Sequence, residues 1–319
     1  MRQTIFTLLI CSTLIIPADA QHTEYFKYGD FNNWITRQLK ESAVIGGEEK
    51  NVYEIGPTQT ISGNVAYTPK GASPWATSNV YAKVSGVVKT SNAVYPHKRT
   101  NGDTCAMLRS KIEQVKVLGL LNMDVMVTGS VFLGQMFEPI TGTKNPYYKM
   151  EMGVPFTKRP DALVFDYKLV MPDCNTRVRS TGFGSKKTLQ GRDSAVVFVM
   201  LQKRWEDEQG NLHALRVGTG GELFANTTDW QKAHKIPIVY GDCSKSIKID
   251  WLKLHQDKDK TYCAKNSHGK MTPVIEDGWA DSNEVPTHII VMFSAGSGEA
   301  YVGTPGLTFY VDNVGTYFK

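Results

Sequence analysis

Short runs of β-branched and aromatic residues, each closed by glycine, proline, asparagine or aspartate, recur along almost the whole chain. No stretch carries the long 3.6-residue apolar period of a surface helix, and no segment repeats at a fixed interval. Roughly a dozen short strands separated by turns are what such a pattern can form. The clearest lies near the C-terminus, where the turn Gly303-Thr304-Pro305-Gly306 opens onto Leu307 to Val314. Leu307, Phe309 and Val311 point one way; Thr308, Tyr310 and Asp312 point the other. An acidic side chain therefore sits at the far end of a strand whose opposite face is apolar.

The N-terminus reads as an export signal. Arg2 supplies the charged start, Ile5 to Ile16 the apolar stretch and Ala18-Asp19-Ala20 a small-residue cleavage site, so the mature chain is expected to begin at Gln21. Cys11 raises a lipoprotein alternative, but Leu8-Leu9-Ile10 lacks the small residue expected before a lipidated cysteine, and the apolar run continues past it. No later stretch is apolar enough for a membrane span. The expected location is periplasmic, cell-surface or extracellular.

The formal charge of +5 is spread over separate pairs such as Lys158-Arg159 and Lys203-Arg204. This excludes the concentrated basic footprint of a nucleic-acid binder. Cys105, Cys174, Cys243 and Cys263 remain after the leader, and four cysteines allow three pairings. Cys243 and Cys263 flank a short segment and are the first expected disulfide; Cys105 reads as a buried strand thiol.

In chain order, Trp34 to Val44 suggests a short helical turn, and Tyr67 to Asn79 a loop carrying Trp75. Two prolines stiffen the connector Gly153 to Pro160. The next strand turns Leu163, Phe165, Tyr167 and Leu169 to one face and Val164, Asp166 and Lys168 to the other. Arg177 to Arg192 reads as a basic loop, Ala195 to Leu201 as a central strand apolar on both faces, and Thr219-Gly220-Gly221 as a break. Ile247 to Leu254 and Thr287 to Phe293 read as further strands. The fold class is an all-β sandwich.

Several segments taken together resemble one family: Trp75-Ala76-Thr77-Ser78-Asn79, Gly153 to Thr157 with Arg159-Pro160, Phe165 to Lys168, and Gly303 to Val314. This is the "putative carbohydrate metabolism domain" family of secreted Bacteroides-type proteins. The resemblance covers most of the mature chain. It implies a single jelly roll over residues 21–319, galactose-binding-domain-like with long loops, that binds or processes glycans. It carries over no catalytic residue.

Sugars stack their C–H faces on exposed aromatic rings, and Trp34, Trp75, Trp205, Trp230, Trp251 and Trp279 are the tryptophan candidates. Trp75 ranks first because polar Thr77, Ser78 and Asn79 follow it; Tyr147 is a further candidate. Arg159, Asp166 and Lys168 are expected to meet hydroxyls. A structural calcium is expected at Asp30 and Asp312, near the two chain ends. Glu206 to Glu208, Glu276-Asp277 and Asp281 supply acids for hydrolysis, but all read as polar turns. No nucleophile elbow, zinc-protease helix or phosphate loop is present. The leading expectation is a secreted glycan-binding module. The alternatives are a glycoside hydrolase or lyase with an unrecognised carboxylate pair, and a structural surface protein that binds another protein.

Overall fold

The structure is a computed structural model. It describes residues 21–319 apart from 85, 118–120, 143–146 and 183, so the expected leader and Cys11 lie outside the described residues. Two large sheets carry the fold. In the first, Leu121–Thr128, Thr104–Val117, Thr308–Phe318, Ala162–Val170 and Thr228–Pro237 lie side by side, all antiparallel. His22–Tyr25 adds to the end of Thr308–Phe318, and Val94–Lys98 adds to Thr104–Val117. The first and last strands of the described chain are therefore neighbours.

The second sheet runs Val154–Pro155, His288–Ser294, Ala195–Glu206, Leu212–Phe224, Met271–Trp279, Cys263–Lys265, Met150–Met152, Ser130–Met136 and Trp75–Thr77. Ser130–Met136 also pairs with His288–Ser294, so seven of these strands close into a ring. In the strand Ala195–Glu206, residues 195 to 202 are buried on both faces. Val197, Val199 and Leu201 meet Phe165, Leu169, Phe309 and Val311 of the first sheet; Val196, Phe198 and Met200 fill the ring with Phe132, Met152, Tyr262 and Val274. Each such buried side chain contributes about 1.5–3 kcal/mol, which explains why this strand reads as apolar throughout.

Several expectations are corrected. Trp34–Lys40 is a strand, not a helical turn: Ile35, Arg37 and Leu39 alternate inward, and only Ala43–Ile45 forms a 3₁₀ turn. Arg177 to Arg192 contains paired strands, Thr176–Arg179 and Lys187–Gln190, because backbone pairing needs no apolar side chains. Thr219-Gly220-Gly221 lies inside the strand Leu212–Phe224. A Cβ at Gly220 would meet the Pro237 carbonyl oxygen at 2.5 Å, and one at Gly221 would meet Leu252 at 2.5 Å, so close packing sets these glycines. Ile247 to Leu254 is not a strand; Asp250–Leu252 forms a 3₁₀ turn that docks Leu252 on the ring's core.

Cys243 and Cys263 are both free, as are Cys105 and Cys174. Cys263 sits in a strand between Met150–Met152 and Met271–Trp279, whereas Cys243 lies beside Thr219 and Arg216. Burial pushes the Cys263 thiol up to about 11 and the Cys105 thiol up to about 12. Cys105 is the buried strand thiol expected of it.

The ring holds a buried charge pair. Arg216 donates Nε to Glu276 Oε1 at 2.6 Å and Nη2 to Oε2 at 2.5 Å, with both side chains fully buried. Gln202 and the His255 backbone N–H also donate to this carboxylate. Burial alone would raise the Glu276 carboxyl, but the Arg216 guanidinium outweighs it and holds the carboxyl below its usual range. Glu276 is therefore no part of a solvated turn. Glu276→Gln leaves a buried guanidinium without its counter-charge and should cost about 3–5 kcal/mol in urea unfolding, whereas Arg216→Met with Glu276→Leu should recover most of that loss. An unchanged urea midpoint for Glu276→Gln would show that the pair does not hold the ring.

Candidate functional site

The outer face of the first sheet is where polar chemistry gathers. Strand alternation sends Phe165, Tyr167, Phe309 and Val311 into the core and leaves Asp166, Lys168, Tyr310 and Asp312 on the other side. Antiparallel register sets Asp166 opposite Asp312 and Lys168 opposite Tyr310. Arg99, just past the strand Val94–Lys98, reaches across them. Its Nη1 donates to Asp312 Oδ2 and lies 3.6 Å from Asp166 Oδ2, and its guanidinium centre stands 3.8 Å from the centre of the Trp230 ring.

Backbone irregularities hold the two carboxylates in place. The ladder slips between Val164 and Asp166 and again between Phe165 and Tyr167. At these slips Ala233 and Asn313 adopt left-handed φ values of 48° and 52°. The Ala233 N–H donates to Asp166 Oδ1 at 2.8 Å, Asn313 Nδ2 to Asp166 Oδ2 at 3.1 Å, and the Asn313 N–H to Asp312 Oδ1 at 2.9 Å. Burial pushes the Asp312 carboxyl up to about 6, with Arg99 opposing the rise and Asp166 adding to it.

Aromatic rings surround this centre. Tyr310 is half-buried and lies 4.9 Å from the His97 ring and 6.3 Å from Trp230. His97 is exposed, and Trp230 is half-buried with Arg99 against its ring. Lys168 Nζ lies 3.5 Å from the exposed Asp229. The face thus offers aromatic rings and an ammonium around a largely buried carboxylate pair. A pyranose could stack on the rings and hydrogen-bond to the charged groups.

The residues expected from sequence are divided. Asp166, Lys168 and Asp312 are brought together. Trp75 is buried in the core, edge-on to Phe26 and Phe31, with Nε1 donating to the Lys27 carbonyl at 3.0 Å, and shows no face to solvent. Asn79 is also buried and spends its amide on the backbone of Tyr53, Ala93 and Val94. Arg159 lies over the Tyr240 ring at 4.0 Å and donates to the Ser282 and Glu284 carbonyls, fastening the proline connector to that loop. Tyr147 packs on Trp251 in a separate cavity.

The two residues expected at a calcium, Asp30 and Asp312, each have other partners. A guanidinium already supplies the positive charge beside the Asp312 carboxylate, and Asp30 is bonded to its own neighbour Asn32 at 3.1 Å. Among the described residues no group of three or more histidine, cysteine, aspartate or glutamate side chains is placed to hold a metal ion. Sequence reasoning missed Arg99 and His97, because Tyr95 to Asp103 reads as a polar loop although Val94–Lys98 is a strand. Alternation through Tyr310 and Asp312 was the available signal for this face.

A family model described as "Putative carbohydrate metabolism domain" matches residues 50–316. The chain belongs to this family. Membership ties the carbohydrate metabolism domain described above to carbohydrate chemistry. Among solved structures, a "putative glycoside hydrolase" from Bacteroides vulgatus is similar at 12% identity and a TM-score of 0.44, covering 92% of this chain and 94% of that one. No curated protein matches. No helix among the described residues is long and apolar enough to cross a membrane.

Asp312 gives this face a pH signature. Its carboxyl rises from an ordinary 3.8 to about 6 on folding, so between those values the folded chain binds more protons than the unfolded one. Its contribution to stability therefore falls as pH climbs from about 4 to about 6. Relative to Asp312→Asn, the parent should lose up to about 3 kcal/mol across that window in urea unfolding. A pH-independent difference between the two would contradict the raised carboxyl.

Proposed function

We propose that this carbohydrate metabolism domain is an exported glycan-binding module whose ligand lies on the outer face of the first sheet. The observation that carries the reading is the half-exposed Trp230 and Tyr310, with exposed His97, beside Lys168 and the Asp166–Asp312 pair. Flat rings beside fixed polar groups are what a sugar needs: apolar area for one face and directional bonds for its hydroxyls. The leader read in residues 1–20 supports an encounter with glycans outside the cytoplasm.

A second reading is hydrolysis by the same carboxylates. Burial raises the Asp312 carboxyl to about 6, where it could act as a proton donor. Both carboxylates, however, lie against one guanidinium, and their side chains are 3% and 12% exposed. That leaves little room for a glycosidic bond between them, and binding without turnover is the favoured reading.

A glycan array with the parent, Trp230→Ala and Tyr310→Ala tests it. The parent should retain a defined set of glycans, and each variant should lose about tenfold in affinity for them, a loss of about 1.4 kcal/mol. Equal retention by all three proteins would sink the proposal. Reducing ends released from a bound glycan by the parent and not by Asp312→Asn would favour the hydrolase instead.

A further inference from the structure

A cavity of about 300 Å³ lies on the far side of the second sheet, away from the face described above. Its floor is Phe198, Met292 and Ser294, side chains that point away from the inter-sheet core. The hairpin strands Val80–Val84 and Val87–Ser91, the strand Leu121–Thr128, and Tyr147 to Met150 wall it in. The size falls at the lower end of small-molecule sites.

The lining is chemically one-sided. Five methionines, Met123, Met126, Met136, Met150 and Met292, line it, with valines and aromatic rings between them. Methionine walls adapt to flexible apolar ligands. Nearly all the polar groups on the wall are already matched. Lys89 pairs with Glu41 at 3.0 Å, Glu113 with Lys111 at 2.7 Å, and Glu299 with Arg179. Ser130 Oγ bonds to Ser294 Oγ at 2.9 Å, and the Tyr148 hydroxyl to Thr141 at 3.1 Å.

Two groups stand apart. Lys149 has no carboxylate partner among the described residues; its ammonium lies 5.0 Å from the centre of the Tyr148 ring. The Trp251 indole Nε1 is buried and lacks a hydrogen-bond partner. An apolar cavity with one cation that lacks a carboxylate partner among the described residues and one spare N–H donor matches a long apolar body carrying a single anionic head. A glycan would leave most of its hydroxyls unbonded there.

We infer that this cavity binds a medium-chain fatty acid, its acyl chain among the methionines and its carboxylate on Lys149. The site is independent of the glycan-binding face. The apolar wall provides affinity for the chain, and Lys149 selects the acid over the corresponding alcohol.

Calorimetric titration and thermal melting with dodecanoate and dodecanol test the assignment. The parent should bind dodecanoate and melt at a higher temperature in its presence. Lys149→Gln should weaken dodecanoate about tenfold and leave dodecanol unchanged. Met292→Trp fills the cavity and should abolish both; Val127→Trp fills it from the opposite wall should Met292→Trp fail to fold, with circular dichroism reporting the fold of each. The assignment is overturned if the parent binds neither probe, if a folded cavity-filling variant still binds dodecanoate, or if Lys149→Gln binds both probes as the parent does.

Discussion

One guanidinium holds the candidate face together. Arg99 answers the buried Asp312, lies within 3.6 Å of Asp166 and stacks on Trp230. Through these contacts it links three neighbouring strands of the first sheet, Thr308–Phe318, Ala162–Val170 and Thr228–Pro237, to the end of Val94–Lys98. Two carboxylates on adjacent strands would repel one another without it. The same guanidinium lies against the Trp230 ring, so one side chain joins the carboxylate pair to the aromatic part of the face.

Buried arginines recur as organisers. Arg216 and Glu276 lie inside the closed ring of the second sheet. Arg37, in Trp34–Lys40, bonds to Glu54 and Glu138 and so ties the small three-stranded sheet to the chain after Ser130–Met136. Burial pushes the Glu54 carboxyl up to about 8 against the pull of Arg37, with Glu138 adding to the rise. Each centre leaves costly charge behind if one partner is removed. Beside the buried Arg99 centre stand the partly exposed Trp230 and Tyr310 and the exposed His97, which is why function is proposed there.

Much of the fold was legible in the residue pattern. Alternation in Leu163 to Leu169 and in Leu307 to Asp312 gave the correct faces, and the two-sided apolar run Ala195 to Leu201 marked a central strand. What misled was chemistry that short spacing cannot resolve. Gly220 and Gly221 look like a break, yet they stand where neighbours from distant segments approach too closely for a side chain. Glu276 looks like part of a polar turn, yet it finds its partner Arg216 well away in sequence. Trp75 looked available because polar residues follow it, but those residues bond inward to the backbone and to Glu54. Strand phase set the direction of Asp166 and Lys168, whereas Asp312 was read as a calcium position near a chain end; the Arg99 contact that joins Asp166 to Asp312 was not legible, because it exists only across paired strands.

The Arg99-braced face, with Trp230 on it, is proposed to meet a glycan, while Trp75 is part of the core. The indole N–H resonances of the six tryptophans in a ¹H–¹⁵N spectrum report on both at once. On titration with an oligosaccharide retained on the array, the Trp230 indole signal should move to saturation and the Trp75 signal should stay in place. Saturable binding that leaves Trp230 unmoved would contradict the account.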